Sequence, residues 1–152
     1  MGGSANDNQA ITPTYVLDGN AITAPVVNSK RGVYLRGTAV ATLRNNKIEE
    51  TGGTWAEEHP YYGGVAITGK ATADLGTATS PGNNFICNNE GPSSIENQPP
   101  GFADALQVHD VRENTDVPIP AQHNWWCNAG TPPKAEEIAG NVDTSNPLTV
   151  AP

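Results

Sequence analysis

Apolar residues alternate with polar ones through much of this chain, and the alternation repeats. Gly32-Val33-Tyr34-Leu35-Arg36-Gly37 is followed by Ala39, Ala41 and Leu43 at every second position. Gly64-Val65-Ala66-Ile67-Thr68-Gly69 is followed in the same way by Ala71, Ala73 and Leu75, at a constant offset of 32 residues. A period of two means β-strand with one face turned inward. Self-similarity at a fixed period means a repeat architecture. Strand, glycine corner, second strand and a third strand opening at an Asn pair describe one coil of a β-solenoid. Equivalent strands of successive coils would then pair in parallel, about 4.8 Å apart.

Further strands are expected at Tyr15-Val16-Leu17, Asn20 to Thr23 and Ala105 to His109. Two longer loops, Thr51 to Gly63 and Glu90 to Gly101, leave the coils. Pro118 and Pro120 should make the next coil irregular, because proline has no ladder donor. Pro132 to Gly140 has the signals of one or two helical turns. Val142 to Val150 reads as a final strand or cap. Met1-Gly2-Gly3-Ser4 and the polar residues after it read as a leader, so 1–14 are taken as a leader, disordered or capping segment and 15–150 as the folded domain. On that reading the chain is a piece of a longer protein; a native start is the alternative.

Asparagine sets the register. Asn20, Asn46, Asn84 and Asn124 each stand two residues before a large apolar residue (Ile22, Ile48, Ile86 and Trp126), at spacings of 26, 38 and 40. Stacked on one corner, their amides can bond along a ladder. Asparagine also tolerates the left-handed backbone of a sharp corner. Four unrelated loop asparagines are the plain alternative.

Composition narrows the class. Charged residues are 16%, and the chain holds 16 Gly and 13 Pro, which suits a corner-rich β protein. The net charge of −8 and the absence of a basic patch argue against nucleic acid. No apolar run approaches the roughly 20 residues of a membrane span.

The segments G-V-Y-L-R-G-T-A-V-A-T-L-R-N-N-K-I, A-D-L-G-T-A-T-S-P-G-N-N-F-I and H-N-W-W-C resemble right-handed parallel β-helix proteins of the pectin-lyase-like superfamily. Within it they resemble secreted bacterial proteins that carry a β-helix domain of unknown function. The resemblance covers about residues 15–150. It implies an all-β fold: a right-handed parallel β-helix of about four coils with long corner loops and a C-terminal cap. The superfamily holds lyases, hydrolases, tailspikes and non-catalytic surface proteins, so it implies no single activity.

Candidate chemistry is sparse. Cys87 and Cys127 each lie three residues after a ladder asparagine, which puts them on the same outward position of consecutive coils. A disulfide and an oxidising, extracellular setting follow, with two free thiols as the alternative. Outward columns should stack Arg36, Thr68 and His109, flanked by Tyr34, Ala66 and Gln107. Thr42 should meet Asp74, and Lys47, Phe85 and Trp125 should form a third column. Tyr34, Arg36, Phe85, His109 and Trp125 are therefore the candidate carbohydrate contacts, although packing beneath loops explains Phe85 and Trp125 more simply.

The paired carboxylates of glycoside hydrolysis do not stack in these columns. The paired-aspartate, G-H-G and R-I-K signatures of the catalytic relatives are missing. His109-Asp110 is a dipeptide that a solvated corner explains, and Glu57-Glu58-His59 is a lone loop triplet. The broken threonine array (Thr42 to Asp74, Val40 to Thr72) does not suit ice binding. No cofactor and no metal site is expected.

Three functions stay open. The first is a non-catalytic extracellular scaffold or adhesion module that binds polysaccharide. The second is the C-terminal fragment of a polysaccharide lyase or hydrolase, and the third a self-assembling subunit stacking through its ends. The end near Tyr15 has no evident cap, so it should pair with a missing N-terminal portion, another copy or a partner chain.

Overall fold

The computed structural model describes residues 12–23, 31–49, 63–87, 89, 106–110, 117–127, 130–131, 133 and 138–152. Twelve strands lie among them: β1 (Thr14–Asp18), β2 (Ala21–Thr23), β3 (Arg31–Leu35), β4 (Val40–Arg44), β5 (Lys47–Glu49), β6 (Gly63–Gly69), β7 (Thr72–Asp74), β8 (Phe85–Cys87), β9 (Leu106–Asp110), β10 (Ile119–Pro120), β11 (Ile138–Ala139) and β12 (Val142–Asp143). The described residues form no helix, so the chain is all-β there.

Every strand pair is parallel. The sheets run β1-β4-β7, β2-β5-β8 and β11-β9-β6-β3, with β10-β12 as a fourth. Along the chain, β1 to β9 enter the first three sheets in the same order three times. The 32-residue offset appears directly as register: Val33 lies on Val65, Leu35 on Ile67 and Ala41 on Ala73.

That register makes one continuous core. Leu17 stands on Leu43, and Ile22 on Ile48 on Ile86. Leu43 and Ile48 are 0% exposed. Burying a side chain of this size contributes about 1.5–3 kcal/mol. Trp126 belongs to this cluster, and Leu17, Ile22, Ile138 and Val142 pack against the cluster partly buried.

Among the described residues two kinds of corner join the strands. Gly37 (φ 67°) and Gly69 (φ 70°) turn β3 into β4 and β6 into β7. At the other corner Gly19, Asn45, Asn83 and His123 have φ of 66°, 55°, 50° and 53°. The left-handed residue is thus the one before each ladder asparagine, and not the ladder asparagine itself as residue type suggests. In the dipeptides Asn45-Asn46 and Asn83-Asn84 either residue suits αL by type. The second one is inward and hydrogen-bonded, so the first takes the turn.

Further differences from expectation concern the far end. Ile138–Ala139 is a strand paired with β9 instead of the end of a helical turn. The remainder of that stretch, apart from residues 133 and 140, lies outside the described residues. The final strand is only Val142–Asp143, laid on β10. Pro120 sits inside this ladder: its carbonyl accepts Leu75 N–H at 2.8 Å, and Ile119 and Ala121 donate to Asn141 and Asp143 at 2.9 Å each. Residues 1–11, Glu57-Glu58-His59 and the loops around 51–62 and 90–105 lie outside the described residues, so the boundary of the leader segment is not placed.

Candidate functional site

The asparagine corner sits beside an open depression, and Asn45, Asn46 and Asn83 form part of its wall. Asn20 donates its backbone N–H and Nδ2 to Asn46 Oδ1 at 3.1 and 3.0 Å. Asn46 donates the same pair of groups to Asn84 Oδ1, both at 3.0 Å. Asn84 donates to Asn124 Oδ1 at 3.0 and 2.9 Å. Each Nδ2 also serves a carbonyl: Asn46 bonds Leu17 O (2.9 Å), Asn84 bonds Leu43 O (3.0 Å) and Asn124 bonds Ala121 O (2.8 Å). Asn46, Asn84 and Asn124 are at most 1% exposed. Their amides remain buried without loss because both ends are satisfied.

Outside the ladder runs a second column. Asn45 Nδ2 donates to Asp18 Oδ1 at 2.7 Å, and Asn83 Nδ2 reaches Asn45 Oδ1 at 3.4 Å. Beside it the outward positions of β2, β5 and β8 align Ala21, Lys47 and Phe85, and Trp125 continues them through a parallel bridge to Phe85. The Lys47 ammonium lies 5.4 Å from the centre of the Phe85 ring and pairs with Glu49. A cation so placed is attracted by the ring quadrupole and covers one ring face. An open depression of about 530 Å³ lies here, lined by Asn45, Asn46, Lys47, Asn83, Phe85 and Pro152.

Cys87 and Cys127 are disulfide-bonded with Cα atoms 5.3 Å apart. Cys87 is 4% exposed, so its outward position is covered; Cys127 is exposed in a left-handed turn at φ 66°. The bond ties β8 to the segment after Trp125.

The sugar-contact candidates fall into separate groups. Phe85 and Trp125 share the column just described. Tyr34 and the backbone position of His109 belong to the β11-β9-β6-β3 sheet, with His109 in register with Thr68; its side chain lies outside the description. Arg36 follows β3 and is exposed. Of the candidates whose side chains are described, Phe85 alone lines the depression.

The expected solvent-facing row on this sheet is corrected on β6. Ala66 is 0% and Thr68 8% exposed. The Thr68 hydroxyl lies 3.4 Å from Tyr34 Oη and 3.5 Å from Leu35 O. Both faces of β6 are covered, which period two cannot reveal.

Sequence reasoning also left out Asn45, Asn83 and Pro152 as lining residues. The paired asparagines were a usable signal, since the αL member of each pair must point outward when its neighbour is in the ladder. Pro152 carried none.

One acid is electrostatically distinct. Asp143 is held below the usual carboxylate range, first by the Ser145 side chain, then by Gln122 and the Ser145 backbone N–H, which donates at 3.0 Å. Among the described residues no three His, Cys, Asp or Glu side chains gather as a metal site, and no helix is long and apolar enough to cross a membrane.

No family model, curated protein or solved structure matches the chain.

Proposed function

We propose that this chain is a non-catalytic extracellular scaffold or adhesion module, built as a right-handed parallel β-helix of the pectin-lyase-like kind, that binds polysaccharide on the face carrying Phe85 and Trp125. The β-helix reading is supported by the three passes through the same sheets in the same order and by their uniform parallel register. An oxidising compartment is supported by the cystine.

The observation that carries the binding assignment is the aromatic column beside an open, amide-lined depression. Aromatic faces pack on sugar rings, and the Asn45 and Asn83 amides suit hydroxyl groups. Lys47 already covers one face of Phe85, so the sugar contact falls on the exposed rim of Phe85 and on Trp125. In a glycan array the protein should retain a polysaccharide, and Phe85→Ala with Trp125→Ala should weaken retention about tenfold or more, a loss of about 1.4 kcal/mol or greater. The circular dichroism of the double variant should be unchanged. Release of reducing or unsaturated sugar ends by the protein, or binding indifferent to both substitutions, would count against the proposal.

A further inference from the structure

The asparagine ladder has a direction, and its two ends differ. Each rung donates toward the C-terminal end and accepts from the N-terminal side. At the far end His123 N–H bonds Asn146 O at 3.1 Å and Leu148 N–H bonds Asn124 O at 3.0 Å. Asn146 repeats the left-handed turn at φ 55°, so Pro147 occupies the next rung. Proline offers neither a side-chain amide nor an N–H, and Asn124 Nδ2 is directed to carbonyls instead. The ladder is closed there. At the near end Asn20 is exposed, and no donor among the described residues reaches its Oδ1.

Among the described residues β1 pairs only with β4, so no described strand covers the outer edge of that sheet. Val40 N–H bonds Pro13 O at 2.9 Å and Gly19 N–H bonds Arg44 O at 3.1 Å. These bonds fix the odd-numbered residues as the ones whose backbone groups face β4. Thr14, Val16 and Asp18 therefore direct N–H and C=O away from the sheet. Tyr15 is 48% and Val16 74% exposed, and β1 contains no lysine or proline of the kind that blunts edges.

We propose that a second copy of this chain docks on β1, head to head and antiparallel, about a two-fold axis through Val16. Strand TYVLD is self-complementary in that register. Val16 meets Val16 of the other copy as a doubly hydrogen-bonded pair. Tyr15 meets Leu17 on the core side, and the Thr14 hydroxyl meets the Asp18 carboxylate on the outer side. The β1-β4-β7 sheet thereby continues into a six-stranded sheet across the axis. Head-to-tail stacking is disfavoured because Pro147, on the end that would arrive, cannot donate to Asn20. The assembly is a closed dimer with no free β1 edge, not a filament.

The full chain should sediment as a concentration-dependent dimer. Its association should strengthen as salt is raised, because each copy carries −8. Val16→Pro removes an N–H that β4 does not use, and Val16→Lys puts like charges together across the axis. Each should weaken association about tenfold or more. The thermal transition extrapolated to low concentration should not change. If the proline variant fails to fold, the lysine variant, at an exposed outward position, decides. A wild-type chain monomeric at the highest attainable concentration, open-ended oligomers, or a dimer indifferent to both substitutions would each overturn the proposal.

Discussion

Two corners among the described residues solve one problem by different chemistry. At Gly37 and Gly69 the chain turns left-handed by removing the side chain, and the two glycines stack so closely that a Cβ on Gly69 would lie 3.2 Å from Gly37 N. At Asn45 and Asn83 it turns left-handed while keeping a side chain, and the following asparagine fills the corner with its own donors and acceptors. The glycine corner is closed by backbone bonds alone, Ala39 N–H to Arg36 O at 3.3 Å and Ala71 N–H to Thr68 O at 3.4 Å, and the glycines add no side-chain partner. The asparagine corner turns the backbone groups that the turn leaves orphaned into rungs of a buried ladder. The second solution is directional and can be terminated, and the first is neither.

The sharpest way to break this contrast is at Asn84. Replacing it with alanine leaves the buried Asn46 N–H without its acceptor and withdraws an amide from Leu43 O, Leu75 O and Asn124 Oδ1. Orphaned buried groups cost about 1–3 kcal/mol each, so a loss of about 3–5 kcal/mol is expected in urea denaturation. Asn20→Ala, at the exposed end, should cost about 1 kcal/mol or less by the same measure, since Asn46 Oδ1 keeps the Asn20 backbone N–H. Equal losses at the two positions would mean that burial is not what makes the ladder matter.

The glycine corner should respond less, and through backbone alone. Gly37→Ala meets nothing within 4 Å, so only the left-handed conformation is penalised, at about 1–2 kcal/mol. Gly69→Ala adds the close approach to Gly37 and should therefore be the more damaging of the two. The difference between them, read from denaturation midpoints, isolates the stacking contact from the conformational cost. A Gly37→Ala variant as unstable as Gly69→Ala would remove the stacking term.

Much of the ladder was legible beforehand because the same residue type stands at the same place in each pass: Asn20, Asn46, Asn84 and Asn124 keep their spacing to an apolar partner whatever loop lies between. The strand register was legible for the same reason, through Val33 and Val65 or Leu35 and Ile67. What stayed hidden depends on neighbours that periodicity does not encode. Ala66 and Thr68 alternate as outward residues yet are buried, because burial on the second face is decided by segments distant in sequence. The choice of Asn45 over Asn46 for the left-handed turn is a competition between two identical side chains, settled by which one the core captures. Phe85 and Trp125 were legible as a column and Asn83 through its pairing with Asn84, whereas Pro152, which lines the depression with Phe85, was not.

The smallest effect belongs to the stretch that ends the ladder. Asp143 accepts Ser145 N–H at 3.0 Å and is bonded by Gln122, so it holds the turn that delivers Asn146 and Pro147 beneath Asn124. These bonds favour its ionised form and lower its folded-state pKa. A carboxylate depressed on folding contributes stability that is complete above its unfolded pKa, about 3.9, and is lost as pH falls through the lower folded value. Asp143→Asn should therefore lower the plateau above about pH 4 slightly and flatten the acid limb below it, so that the two curves converge at low pH. The group is largely solvated, so the change is slight and is best read as a difference in acid-unfolding midpoint between the two proteins. An identical acid limb would mean that the closing turn is held by Pro147 and the Leu148 N–H bond to Asn124, without help from the charge on Asp143.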